Sequence, residues 1–187
     1  MIDPTNPAVL DVHDFRRAGD MRHVHRVAPA PAGLGNPVIT IEPGSDVRLD
    51  LLLESVIDGV LVTGTVAYDA SGVCSRCLDP LQEARSTSLS ELYLWSPPDE
   101  QDPDDDPLPV VAAGLIDLSD AVRDAIVLDV PLAPVCDDNC PGLCAECGAR
   151  MADDPQHRHQ VADPRWQALA AWQDPADDTA TGSMRDT

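Results

Sequence analysis

The chain has 187 residues and a formal net charge of -21, from 33 acidic residues against 12 basic ones; such a surplus repels nucleic-acid phosphates and anionic membranes and favours basic partners. Hydrophobic residues make up 43% and aromatic ones only 3%, so a core must be built from Val, Leu, Ile and Ala, on a scale that suits one domain with tails. No apolar run approaches the ~18 residues of a membrane span, and no basic-then-apolar leader pattern opens the chain, so the expected setting is cytoplasmic, where thiols stay reduced.

Residues 1–15 hold apolar spots at Val9, Leu10, Val12 and Phe15 without a sustained period. Arg16, Arg17, Arg22 and Arg26 follow, with His23 and His25 among them and only Asp20 opposed. This is the one basic island in an acidic chain. It is a candidate RNA contact, or else a solvated edge that balances nearby acids. A Pro/Ala/Gly-rich loop then spans 28–37. Residues 38–41 read as a short strand, and Val47, Leu49, Leu51 and Leu53 alternate as one face of a half-buried strand. Asp58-Gly59 predicts a type I′ turn, with Val60, Val62, Val66 and Tyr68 on the return strand. Asp69-Ala-Ser-Gly72 predicts a second turn, and residues 87–95 a further strand. The acidic, Pro-rich run 98–109 cannot bury enough surface to order itself and is expected to be a mobile loop. Asp117 or Ser119 caps an expected helix over 117–129, with Leu118, Ala121, Val122, Ala125 and Ile126 on one face. Pro131 ends it. Asp163-Pro164 has the pattern of another helix start, with Trp166, Leu169 and Trp172 available to dock it, and 173–187 reads as a disordered tail.

The six cysteines carry the chemistry. Cys74-Ser-Arg-Cys77 forms one group, and Cys136, Cys140, Cys144 and Cys147 fall within twelve residues. Clustered thiols in a reduced compartment point to metal rather than to disulfides, and four soft thiolates satisfy a tetrahedral zinc ion. A Cys-x-x-Cys knuckle lets both sulfurs reach one ion while the intervening amides donate to them, and Gly148 suits the backbone that such a knuckle needs. Three pairings are open. Cys136, Cys140, Cys144 and Cys147 can share one ion. Cys74 and Cys77 can join Cys136 and Cys140, leaving Cys144 and Cys147 to His157 and His159. The two Cys-x-x-Cys knuckles can also join as in a zinc ribbon. His157 and His159 otherwise read as exposed loop residues, and the thiols as buried or redox-active. Four protein ligands close a site, which makes the metal structural. With no Gly-rich phosphate loop, no Ser/His/Asp spacing and no paired-carboxylate motif, the chain is not expected to be an enzyme. A rubredoxin-like redox protein remains the enzyme-class alternative, since Cys-x-x-Cys-Gly also holds iron.

Several segments recur in a fixed order: Leu53-Glu-Ser-Val56 to Val62-Thr-Gly64, Cys74-Ser-Arg-Cys77-Leu78, Ile116-Asp-Leu118, Pro131-Leu-Ala-Pro134, Gly142-Leu-Cys144, Cys147-Gly148 and Asp163-Pro-Arg-Trp166. Together they resemble the YceD family, the large-subunit ribosomal RNA accumulation proteins, over about residues 8–172. The resemblance implies a role in accumulation or processing of large-subunit (23S) ribosomal RNA and no established enzymatic activity. Some relatives keep the first knuckle and lack the Gly-Leu-Cys-x-x-Cys-Gly segment, which favours Cys74 and Cys77 with Cys136 and Cys140. His157 and His159 would then complete a second site. In many bacteria the family's gene lies beside that of a small zinc-binding ribosomal protein. Two partners are thus expected: ribosomal RNA on the arginine island, or a basic ribosomal protein escorted by the acidic surface. The expected fold is α+β, one domain over 1–172. A hairpin-rich antiparallel sheet, open or barrel-like, packs on the 117–129 helix, and a zinc-knuckle region at 136–160 closes one end.

Overall fold

Alternation of Val and Leu with polar residues builds the sheet. In β5 (Asp46–Ser55), Val47, Leu49, Leu51 and Leu53 are buried, and the intervening residues face out. In β6 (Gly59–Val73), Val60, Val62, Val66, Tyr68 and Ala70 do the same. These results come from a computed structural model that describes residues 3, 5–15, 17–98, 108–159 and 165. Arg16, the heart of the acidic loop at 99–107, the Asp163 helix and the 173–187 tail lie outside the described residues.

The remaining elements among the described residues are β1 (Val9–Asp11), β2 (Met21–Pro29), β3 (Gly35–Asn36), β4 (Ile39–Thr40), β7 (Pro80–Leu94), β8 (Leu115–Asp117) and one helix, α1 (Ser119–Asp129). The class is α+β. All named pairings are antiparallel. β6 is the spine. β7 pairs with its whole length on one side, Gly59 with Leu94 through to Val73 with Pro80. On its other side β5 covers residues 60–67 and β4 continues at Gly72. β2 adds the outer strand beyond β5, and β1 pairs with β8 in a small second sheet.

The main sheet is open, not a barrel: β2 pairs with β5 and β7 with β6, and these two outermost strands do not pair with each other. Both carry charged residues, a usual guard on exposed edges. β2 eluded the pattern reading because its buried positions are only Val24 and Ala28, spaced among Arg and His.

Two turns differ from expectation. The β5–β6 hairpin does turn at Asp58, closed by the Val56 N–H donating to the Gly59 carbonyl at 2.9 Å. Neither Asp58 nor Gly59 has positive φ, so the turn is not type I′. Gly59 serves close packing instead: a Cβ there would lie 2.1 Å from the Tyr93 oxygen. Asp69–Gly72 does not turn at all but runs on as strand. Gly72 admits the β4 backbone, where a Cβ would meet the Val38 oxygen at 2.2 Å. The chain reverses only at residues 74–79, so the first cysteine pair occupies the hairpin tip.

α1 buries Val122 and Ile126 against β6 and β7, and Leu118, the residue just before the helix, is buried in the same core. The Asp117 carboxylate accepts the Ser119 N–H at 2.9 Å, and the extended Val130 before Pro131 ends the helix. A polar latch fixes its C-terminus. The fully buried Tyr68 donates its hydroxyl to Asp129 at 2.6 Å. Arg85 donates to the same carboxylate at 2.9 Å and to the Asp129 carbonyl at 3.0 Å, so a cation caps the negative end of the helix. Burial and Asp129 push the Tyr68 phenol up to about 12. The Arg85 hydrogen bond holds the Asp129 carboxyl below the usual carboxylate value. A depressed folded pKa stabilises the fold above the unfolded value and ceases to do so as pH falls through the folded one. Asp129→Asn is therefore expected to cost about 1–3 kcal/mol in urea unfolding at pH 7, with the gap to the parent narrowing at pH 3. A constant gap would show that the carboxylate charge is idle.

Candidate metal centres at the hairpin tip

The two Cys-x-x-Cys segments fold alike. In the first, the Cys74 N–H donates to Asp79 O at 2.8 Å and the Leu78 N–H to Cys74 O at 2.9 Å. In the second, Cys144 donates to Ala149 O at 2.8 Å and Gly148 to Cys144 O at 2.8 Å. The residue after the second cysteine is left-handed in both, Leu78 at φ 61 and Gly148 at φ 71. Within the first knuckle, the N–H groups of Arg76 and Cys77 approach Cys74 Sγ at 3.4 and 3.5 Å.

Around these knuckles the chain assembles two donor sets. Cys74, Cys77, Cys136 and Cys140 form one, and Cys144, Cys147, His157 and His159 the other; in each, all ligand atoms lie within 4.8 Å of one another. Of the three pairings open in the sequence, this is the second. In the first set, Cys74 Sγ is 3.8 Å from Cys140 Sγ, and Cys77 Sγ is 3.6 Å from Cys136 Sγ. A tetrahedral zinc ion with bonds of about 2.3 Å would place neighbouring sulfurs about 3.8 Å apart, so the donors fit. In the second, Cys147 Sγ is 3.2 and 3.1 Å from the Nε2 atoms of His157 and His159, themselves 2.8 Å apart. These spacings are about 0.3–0.5 Å shorter than those of a mixed nitrogen and sulfur tetrahedron, about 3.3–3.6 Å, so the donors would open slightly around an ion. Cys74, Cys77 and Cys140 are buried and Cys136 exposed. The second set is more open, with Cys147 and His159 exposed.

The thiols are poised unequally. An N–H from Cys77 holds Cys74 down at about 6 against the opposing effect of burial. The Asp79 N–H favours a thiolate at Cys77, but burial and the sulfurs of Cys74, Cys136 and Cys140 outweigh it and push the group up to about 12. Cys140 also pushes Cys136 up. N–H groups of Cys147 and Glu146 bring Cys144 down to about 6. Neighbouring sulfurs thus resist joint ionisation, and a cation among them would remove that resistance.

The two sets are braced together. Leu143 N–H donates to the Arg76 carbonyl at 3.0 Å. The Arg76 guanidinium donates to Asp138 O at 2.9 Å and Cys140 O at 3.1 Å. Arg150 pairs with Asp79. At Gly142, φ 76, a Cβ would lie 3.0 Å from the Arg76 oxygen. Sequence reasoning missed Arg76, Asp79 and Arg150 as positioning residues; their signal was a charged residue inside or just beyond each knuckle.

The sequence model of one protein family, described as "Large ribosomal RNA subunit accumulation protein YceD", matches residues 62–172. The chain belongs to the YceD family. An uncharacterized protein of Mycobacterium tuberculosis is 40% identical over 181 residues, 95% of this chain and 86% of its own length. One from Mycobacterium leprae is 35% identical over 166 residues, 88% and 76% respectively. A maize relative, named large ribosomal RNA subunit accumulation protein YCED homolog 1, chloroplastic, is 29% identical over 130 residues, 54% of this chain and 41% of its own. No solved structure matches.

In this YceD-family chain, among the described arginines of the basic island, Arg22 is half-buried and Arg17 and Arg26 are exposed. Arg22 stacks 5.0 Å over the Phe15 ring, pairs with Asp14 at 3.1 Å and donates to the Asp11 carbonyl. Arg17 lies before the start of β2 and Arg26 midway along it, and Arg26 donates to the His25 carbonyl at 3.2 Å.

Leu78 holds its left-handed conformation while 61% exposed. A Cβ in that region costs about 1–2 kcal/mol, partly offset by the unfolded-state freedom that glycine adds. Leu78→Gly is expected to raise stability by up to about 1 kcal/mol. Thermal unfolding of the metal-loaded protein would show it, and a lower midpoint would mean that Leu78 makes contacts worth more than its strain.

Proposed function

We propose that this protein is a non-catalytic, cytoplasmic ribosome-biogenesis factor that supports accumulation of 23S ribosomal RNA through one domain held by two structural zinc ions. The observation that carries the reading is the pair of four-donor sets in a YceD-family chain. Each set is complete with protein ligands, so an ion held there has no open position for water or substrate. The Cys2His2 composition of the second set favours zinc over rubredoxin-type iron. The role of the metal is then to join the hairpin tip to the segment after α1.

The partner that fits best is a basic ribosomal protein. The net charge of -21 attracts such a partner and repels phosphate, and Arg22 is already engaged by Phe15 and Asp14. One observation supports RNA as a second reading: His25, Arg26 and Arg48 line a shallow hollow of about 450 Å³ on the β2–β5 face, where His25 also pairs with Asp50 and Arg48 with Asp69.

Elemental analysis is expected to find two zinc ions per chain. His157→Ala with His159→Ala should retain one and keep the sheet folded, whereas Cys74→Ser with Cys140→Ser should lose the native fold. A stepwise chelator titration should empty the exposed Cys144–His159 set first; simultaneous loss would show that the sets are one cooperative unit.

Partner choice is read by adding purified, RNA-free large-subunit ribosomal proteins or a 23S RNA fragment to the full chain. Retention of a basic ribosomal protein and no RNA at low salt is expected. RNA binding that falls steeply with salt and is lost in Arg17→Gln with Arg26→Gln would establish the second reading instead.

A further inference from the structure

The acidic surplus borders two hollows: in one, lined by Glu42, Asp69 and Glu83, the last two are already paired with Arg48 and Arg85; the other has carboxylates without such partners. Between the end of β7 and the first turns of α1 lies a groove of about 550 Å³. Tyr93, Leu108 and Ala121 supply its apolar part, and Glu91, Asp120 and Asp124 its acidic part. Glu91 stands in the register of β7 that carries the buried Leu89 and Tyr93, the core-facing side of an edge strand. Neither Glu91 nor Asp120 has an ion-pair partner among the described residues. Arg123, the one basic lining residue, faces Asp124 at 3.5 Å and leaves the other carboxylates uncompensated.

A half-buried carboxylate beside an apolar wall is costly unless a cation meets it. Arginine and lysine answer both parts, laying an apolar stem along Leu108 and Ala121 while the charged head reaches the carboxylates. Phosphate would meet the same carboxylates unscreened. Burial, then Glu91, Asp117 and Asp120, pushes the Tyr93 phenol well above its ordinary value, a sign of the negative field in the groove. Its hydroxyl is already committed to the Asp117 carbonyl at 2.9 Å.

We propose that this groove is the docking site for an exposed arginine- or lysine-rich segment of a basic protein. This rests on the reading of the partner as a basic ribosomal protein and names where on the fold that partner is held. Leu108 is 52% exposed, giving the segment an apolar surface to cover.

The test compares two variants of the full, metal-loaded chain at about 150 mM salt, where diffuse surface attraction is screened. One is Glu91→Gln, Asp120→Asn, Asp124→Asn. The other removes three exposed acids that line neither hollow, Asp3→Asn, Asp46→Asn, Asp58→Asn. The probes are a synthetic peptide alternating arginine with leucine and the purified, RNA-free large-subunit ribosomal proteins. Circular dichroism and zinc content verify both folds, and Glu91→Gln alone serves if the triple variant does not fold. The expected result is at least about tenfold weaker binding for the groove variant and less than about twofold for the other. Equal weakening of both would overturn the groove while leaving the basic partner standing. No binding by the parent chain would overturn the partner reading itself. Retention of an added 23S RNA fragment by the parent chain in place of both basic probes would overturn the proposal in favour of nucleic acid.

Discussion

Four sulfur atoms within 4.8 Å of one another cannot all become thiolates in the absence of a cation. That constraint sits at the tip of the longest hairpin in the fold, where Cys74 and Cys77 face two cysteines that follow the helix. The chain from β6 through α1 to Cys140 is thereby a loop closed by its donors. The latch of Tyr68, Arg85 and Asp129 closes the same loop a second time, nearer the core. These two ties add to a continuous apolar core that runs through β1, the main sheet, β8 and α1.

The two knuckles share a backbone but not an environment. The first is mostly sheltered and is backed by Leu81 and Val135. The second is held from beneath by Arg76 and Arg150 and lies open above. One motif thus serves as a deep fastening in one place and an outer one in the other. The outer set leans on the inner because the Arg76 carbonyl receives Leu143.

Legibility in the sequence followed how local each signal was. β5, the first half of β6 and α1 were plain because alternation and helical period report burial directly. The strand nature of Asp69–Gly72 was hidden because Gly72 is selected for the passage of the β4 backbone, and its composition imitates a turn. β2 was hidden because an edge strand needs few buried side chains. All eight metal-ligand candidates were visible as residue types, but spacing alone left three ways to join them. The joining depends on where β6 and β7 reverse, which no local pattern states. The bracing by Arg76, Asp79 and Arg150 was invisible for the same reason.

β6 and β7 run as fifteen residues each, and their alternation would tolerate a shift of two positions almost as well as the native pairing. A shifted hairpin would still bury valines, but its reversal would fall elsewhere and Cys74 and Cys77 would no longer meet Cys136 and Cys140. The cysteines at the tip therefore act as a proofreading mark on the ladder behind them. With a cation among them they would reward one alignment of thirty residues with closure, the same alignment that the close approach of Gly59 to Tyr93 and the shared grip of Tyr68 and Arg85 on Asp129 require.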